Sequence, residues 1–146
     1  MLNKIFPILI VLCCLIASCK QEKNNNLLPE LASCDSAAIM YYHEPGKPRF
    51  FKMAKEYDKA VINILSENVN SALIKAKDTC TSQGKIYVYG KGDAVYVVYF
   101  NTSEGCNTLS FIKTGEKYFV KMKDKTKNWI NDLQKTAKEP PGQIEE

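Results

Sequence analysis

A single histidine, His43, is all the imidazole that this 146-residue chain holds, and no Cys-x-x-Cys pair occurs in it. Zinc sites draw on clustered Cys and His, and thioredoxin-type redox chemistry needs the paired motif. Neither is expected, and no metal or cofactor follows from the residues. A glycine-rich phosphate loop, a paired-carboxylate signature and a Gly-x-Ser-x-Gly elbow are also missing. The "GKGD" at 90–93 has glycines, yet lacks the spacing and the strand-to-helix setting of a phosphate cradle. Charge of one sign is scarce as well. A formal net charge of +4 is too mild for nucleic-acid binding, which shows a strongly basic patch. The longest apolar run, Ile5 to Ala17, is uncharged and stops short of the ~20 residues that cross a bilayer.

What that run does have is Lys4 in front and small residues behind. A basic start, a short apolar core and a small-residue cut site describe a secretory signal peptide. Its last residues, Ile16-Ala17-Ser18-Cys19, resemble the lipobox of bacterial lipoproteins: an aliphatic residue and two small ones before an obligatory cysteine. The resemblance covers the first nineteen residues only. It implies a thioether between Cys19 and a diacylglycerol, cleavage before Cys19, and acylation of the new amine by a fatty acid such as palmitate. One acyl chain binds membranes at only ~10⁴ M⁻¹, whereas two or more hold a protein stably. Lys20, rather than Asp, follows the cysteine; by the same resemblance this implies an outer-membrane destination in the bacterial cell envelope. The "KQEK" of 20–23 looks like a short export tag of surface lipoproteins. The alternative is a plain secretory signal whose cut site happens to hold a cysteine.

Cleavage removes residues 1–18 and leaves 146 − 18 = 128, enough for one domain. Cys13 and Cys14 leave with the peptide, and loss of Lys4 lowers the formal charge from +4 to +3. Besides Cys19, the remaining thiols are Cys34, Cys80 and Cys106. An exported compartment permits disulfides.

Residues 19–31 read as the lipidated cysteine and a flexible tether, 32–138 as the domain, and 139–146 as a loose tail. Within the domain, "SAAIMYY" and "RFFKM" flank Pro45-Gly46, suited to a type II turn, and make a hairpin near 36–53. Tyr57, Val61, Ile64, Leu65, Ala72, Leu73 and Ala76 share a helical stripe; with Asp58 as N-cap they predict a helix over 58–67. "SENVNS" should end or bend it. Strands 85–89, 94–100, 108–113 and 117–122 form a meander, and a helix over 125–138 follows, with Asp124 as N-cap and Thr126, Trp129, Ile130, Leu133 and Ala137 inward. The expected fold is α+β: an antiparallel sheet of four to six strands with both helices packed on one face. Cys80 and Cys106 lie beyond the same end of the 85–100 hairpin, which favours a disulfide between them. Closing that loop of about 27 residues contributes roughly 3–4 kcal/mol by the chain-entropy account.

Both faces of the central hairpin are apolar, since tyrosines alternate with valine and isoleucine. Tyr87, Tyr89 and Tyr96 are the candidate binding face, because tyrosine joins a large apolar body to a polar tip. The competing reading has the first hairpin or the segment 73–77 covering them. The run "KYFVKMKDKTK" offers Lys117, Lys121 and Lys123 to anionic lipid or polyanionic sugar, or protects an edge strand. His43 beside Glu44 could serve acid–base chemistry, but no Ser or Cys partner is defined, and no catalytic residue is assigned. The expected function is a non-catalytic binding or interaction module, held to the membrane by its lipid, with an unidentified protein or ligand partner. A small hydrolase-like envelope enzyme and an inhibitory lipoprotein that blocks a protein are the alternatives. Metabolic labelling with a radioactive fatty acid tests the anchor: label enters the native chain and is lost in Cys19→Ser. Equal labelling of the two refutes the assignment.

Overall fold

The computed structural model describes residues 23–75 and 79–142; the expected leader, Cys19 and Ala76 lie outside them. Six strands form one sheet: β1 (Ser36–Glu44), β2 (Lys47–Glu56), β3 (Gly84–Tyr89), β4 (Val95–Asn101), β5 (Thr108–Lys113) and β6 (Glu116–Lys121). Their order across it is β2-β1-β3-β4-β5-β6, and every pairing is antiparallel. Helices α1 (Lys59–Val69) and α2 (Asp124–Gln134) complete an α+β fold. Among the described residues no helix is long and apolar enough to cross a membrane.

Turn chemistry sets the hairpins. Gly46 has a φ of +78°, which a β-carbon disfavours, and there that atom would also lie 2.6 Å from the Thr81 methyl. Between β5 and β6, Thr114 and Gly115 both have positive φ, 51° and 83°. That is the backbone of a two-residue hairpin turn matched to strand twist. Both sheet edges receive extra partners. Met53 exchanges backbone hydrogen bonds with Lys138 at 2.7 and 3.0 Å, and the Ile74 N–H donates to the Phe119 carbonyl at 2.8 Å. Short pairings of this kind occupy donors and acceptors that would otherwise recruit another chain.

Strand alternation divides the side chains between two faces. Ile39, Ile86, Val98, Leu109, Phe111 and Val120 point to one face and are fully buried beneath Ile62, Leu65 and Val69 of α1 and Ile130 of α2. Burying such a side chain stabilises by roughly 1.5–3 kcal/mol. The Tyr41 ring meets Phe100 edge-on at 5.6 Å, and its hydroxyl donates to the Ile130 carbonyl at 2.8 Å, tying α2 to the sheet. Glu56 fixes α2 from the other side by accepting from the Trp129 indole at 3.0 Å. Asp58 caps α1 as expected, accepting from the Ala60 N–H at 2.8 Å.

Three local expectations are corrected. Tyr57 is 69% exposed instead of inward, because it precedes the Asp58 cap and the helical phase does not reach it. Asp124 is the first residue of α2, and Lys123 holds the cap position with extended backbone; the carboxylate then sits where the helix dipole favours an anion. Residues 25–31 belong to the domain and not to a flexible tether. Leu28 and Leu31 are buried in the core, and Pro29–Ser33 forms a 3-10 turn. Asn25 and Asn70 lock the segment down. The Asn25 amide donates to the carbonyls of Val69 and Ser71; Asn70 accepts from the Leu28 N–H and donates to the Leu28 carbonyl, both at 2.9 Å.

Cys80 and Cys106 form the disulfide, their α-carbons 5.5 Å apart. It ties the loop before β3 to the loop after β4. Gln83 supports the same junction, donating to the Ser103 hydroxyl at 2.8 Å and accepting from the Thr102 N–H at 2.7 Å.

Gly84 marks the tightest point of the sheet. A β-carbon there would lie 2.1 Å from the Met40 carbonyl oxygen and 2.5 Å from the Phe100 ring. Gly84→Ala is expected to destabilise the fold by about 3 kcal/mol, read as a lower urea midpoint. Gly92→Ala, which meets nothing within 4 Å and carries only its positive φ, should cost about 1 kcal/mol. Equal midpoints for the two variants would refute this account of Gly84.

Candidate binding face

The sheet face opposite the helices carries no covering element among the described residues. The first hairpin extends the sheet sideways, and Leu73 pairs with Val120 at the β6 edge, so neither lies across it. Register places on this face, in one row from edge to edge, Met53, Met40, Lys85, Tyr99, Ser110 and Phe119. A flanking row runs Lys55, Ala38, Tyr87, Val97, and the other begins Phe51, Tyr42. The result is an apolar and aromatic layer built by strands alone, in which Tyr42, Tyr87, Tyr99 and Phe119 are half-buried and Ala38, Met40 and Ser110 are buried.

Lysines are set into it. The Lys85 ammonium lies 4.8 Å from the Tyr87 ring centroid. Lys117 lies 5.6 Å from the Tyr99 ring and 5.2 Å from that of Phe119. A cation over an aromatic face is attracted by the ring quadrupole, so the rings hold these ammonium groups against the sheet. Hydrogen bonding with Tyr87 raises the Lys85 pKa above its ordinary value, outweighing the desolvation that lowers it. Burial raises Tyr42, opposed by the nearby Lys85 charge. At neutral pH this pair is therefore an ammonium beside a neutral phenol. Lys55 and Lys121 share the face through their pairing with Ala38 and Thr108. Glu56 pairs with Ala37 and Glu116 with Lys113 on the helix side, and Glu44, beyond the register shift at the β1–β2 turn, is bridged to its strand partner Lys47.

The three tyrosines singled out in the sequence do not stay together. Tyr87 and Tyr89 share the open face, and Tyr89 is 39% exposed. Tyr96 pairs with Val88 and packs against the core beneath the helices. Tyr99, Tyr42 and Phe119 take its place beside Tyr87. Of the basic run, Lys117 and Lys121 lie on the open face. Lys113 points to the helix side and donates to the Leu27 carbonyl, while Lys123 and Lys125 belong to the start of α2.

His43, Glu44, Lys47, Arg49 and Phe50 line a hollow of about 220 Å³, and His43 Nε2 lies 3.7 Å from a Glu139 oxygen. Among the described residues, no serine, threonine or cysteine lines that hollow. Cys34 is buried with its thiol free of a disulfide; desolvation raises its pKa, against the lowering effect of Lys59. That environment disfavours the thiolate a nucleophile needs. Asn101 is 6% exposed, and its amide oxygen accepts from the Ser103 N–H at 2.8 Å, so it serves the loop junction. Among the described residues no group of three or more His, Cys, Asp or Glu could hold a metal ion. Comparison with protein-family models, curated proteins and solved structures finds no match to this chain.

Proposed function

We propose that the protein is a lipid-anchored, non-catalytic binding module of the bacterial cell envelope, whose open sheet face docks an anionic partner. The lipobox-like "IASC" supports the address. The open face supports the rest: aromatic rings with ammonium groups held over them, Lys55, Lys85, Lys117 and Lys121 at its paired strand positions, and Glu44 at the β1–β2 turn already bridged to Lys47. Contiguous apolar surface of this kind marks interaction sites, and a field of one sign selects partners of the other. A flat surface without a deep pocket suits a macromolecule or polymer better than a small substrate. Blocking a protein partner, as an inhibitory lipoprotein does, would use the same face.

The test uses the lipidated chain as bait on envelope extract. A partner should be retained at low salt and released as salt rises, because screening weakens contacts between exposed charges. Replacing both Lys85 and Lys117 by Met should weaken retention by roughly tenfold or more. Lys135→Met, on the outer side of α2 and paired with Asp132, should leave retention unchanged. Retention indifferent to salt and to the double replacement would refute the reading.

A further inference from the structure

We propose that the β6 edge around Leu73 and Ile74 is a second docking surface, and that its occupant is an anionic lipid bilayer. The inference rests on the lipid anchor proposed above, and adds that the folded body itself touches the membrane on a defined side.

Chain length supplies the first argument. The chain is pinned at Asn25, whose N–H donates to Asn70 and whose amide donates to Val69 and Ser71. From Asn25 to Cys19 is 25 − 19 = 6 residues. Fully extended, that run reaches ~20 Å; as a coil it averages ~13 Å. A domain of this size has a radius of gyration of about 14 Å. A tether whose mean span does not exceed the domain's radius of gyration restricts its rotation. The surface next to Asn25 is the one held toward the bilayer.

The chemistry of that surface is the second argument. An open groove of about 960 Å³ lies there, lined by Lys23, Leu73, Ile74, Tyr118, Lys121 and Lys123 among others. Leu73 is 45% and Ile74 38% exposed, two aliphatic side chains with no core to enter. Their backbones are fixed to β6, so they are presented rather than loose. Aliphatic residues beside lysines are the composition of surfaces that rest in a headgroup layer, and each lysine is drawn to anionic lipid. The lining holds one carboxylate, Asp124, next in sequence to Lys123. The segment "KYFVKMK" therefore serves two surfaces: Lys117 faces the open sheet, Lys123 borders the groove, and Lys121 stands where the two meet.

The experiment uses the mature, lipidated chain reconstituted in vesicles containing bromine-labelled phospholipid, with Leu73→Trp as reporter. A second chain with Val95→Trp, at the opposite strand end, is the control, and Trp129 gives a common background. Mass analysis of the N-terminal peptide first establishes the acyl groups on Cys19. In vesicles rich in phosphatidylglycerol the position-73 fluorescence should be quenched and position 95 should not. Quenching at 73 should drop to the level at 95 in zwitterionic vesicles, and also when Lys121 and Lys123 are both replaced by Glu. Two lysines together correspond to about a 30-fold change in the docking equilibrium. Lipid on Cys19 with equal, weak quenching at both positions would overturn the docking surface and leave the anchor standing. A blue-shifted position-73 fluorescence without bromine quenching would mean that the protein's own acyl chains fill the groove, and would overturn it too. Absence of lipid on Cys19 would remove the anchor itself and the premise with it.

Discussion

One layer of six strands has two faces, and two helices of eleven residues each can shield only one of them. That constraint shapes the rest of the molecule. The helix side takes the aliphatic and aromatic core, from Ile39 and Ile86 to Phe111 and Val120. The strands nevertheless carry apolar residues at alternate positions on both sides, so the second face is apolar without being covered. Proteins that leave a sheet half solvated make its outer face polar. Here Met40, Tyr42, Tyr87, Tyr99 and Phe119 take those outer positions instead. Even half-buried, with Met40 covered by its neighbours, a surface of that composition needs either an occupant or a device that keeps it from recruiting copies of itself.

The N-terminal segment shows how few residues separate a tether from a structural element. Its asparagines have the composition of a solvated linker. In the fold, Asn25 and Asn70 each satisfy backbone groups on the other's segment, and Asn68 holds the start of α2 by accepting from the Lys123 N–H and donating to the Lys121 carbonyl, both at 2.8 Å. The "SENVNS" stretch, weak as helix material, thus ends α1 while supplying the polar side chains that fasten two neighbouring segments. Side-chain amides can imitate backbone donors and acceptors where no regular ladder exists. Composition registers the amides; it does not register their partners.

Much of the architecture was legible in the chain. Strand formers in β1, alternation in β3 and β4, the glycine-bearing turns and the Asp58 cap each carry a local physical signal, and the shared hairpin end located the Cys80–Cys106 bridge. The composition of the binding face was less legible, and the reason is one residue of register. Strands at 85–89 and 94–100 around a four-residue loop would pair Tyr89 with Ala94, and so Tyr87 with Tyr96. The loop contains five residues: Tyr89 pairs with Val95, the Gly90 N–H reaches the Ala94 carbonyl at 2.9 Å, and Gly92 and Asp93 both take positive φ. A slip of one residue moves every side chain of a strand to the other face. It exchanges Tyr96 for Tyr99 and brings the latter under Lys117.

The lysines on the open face answer the problem that its aromatics create. An ammonium resting on a ring covers apolar surface with its methylene stem and still directs donors outward. Two copies of this face brought together would set Lys55, Lys85, Lys117 and Lys121 against the same four, a repulsion strong at low salt and weak at high salt. The arrangement that disfavours self-association is thus the one that would admit the proposed partner of opposite charge. Protection and recognition are then not competing explanations of the lysine-rich strands. They are one electrostatic field met by two kinds of visitor, and what distinguishes them is the sign of the surface that approaches.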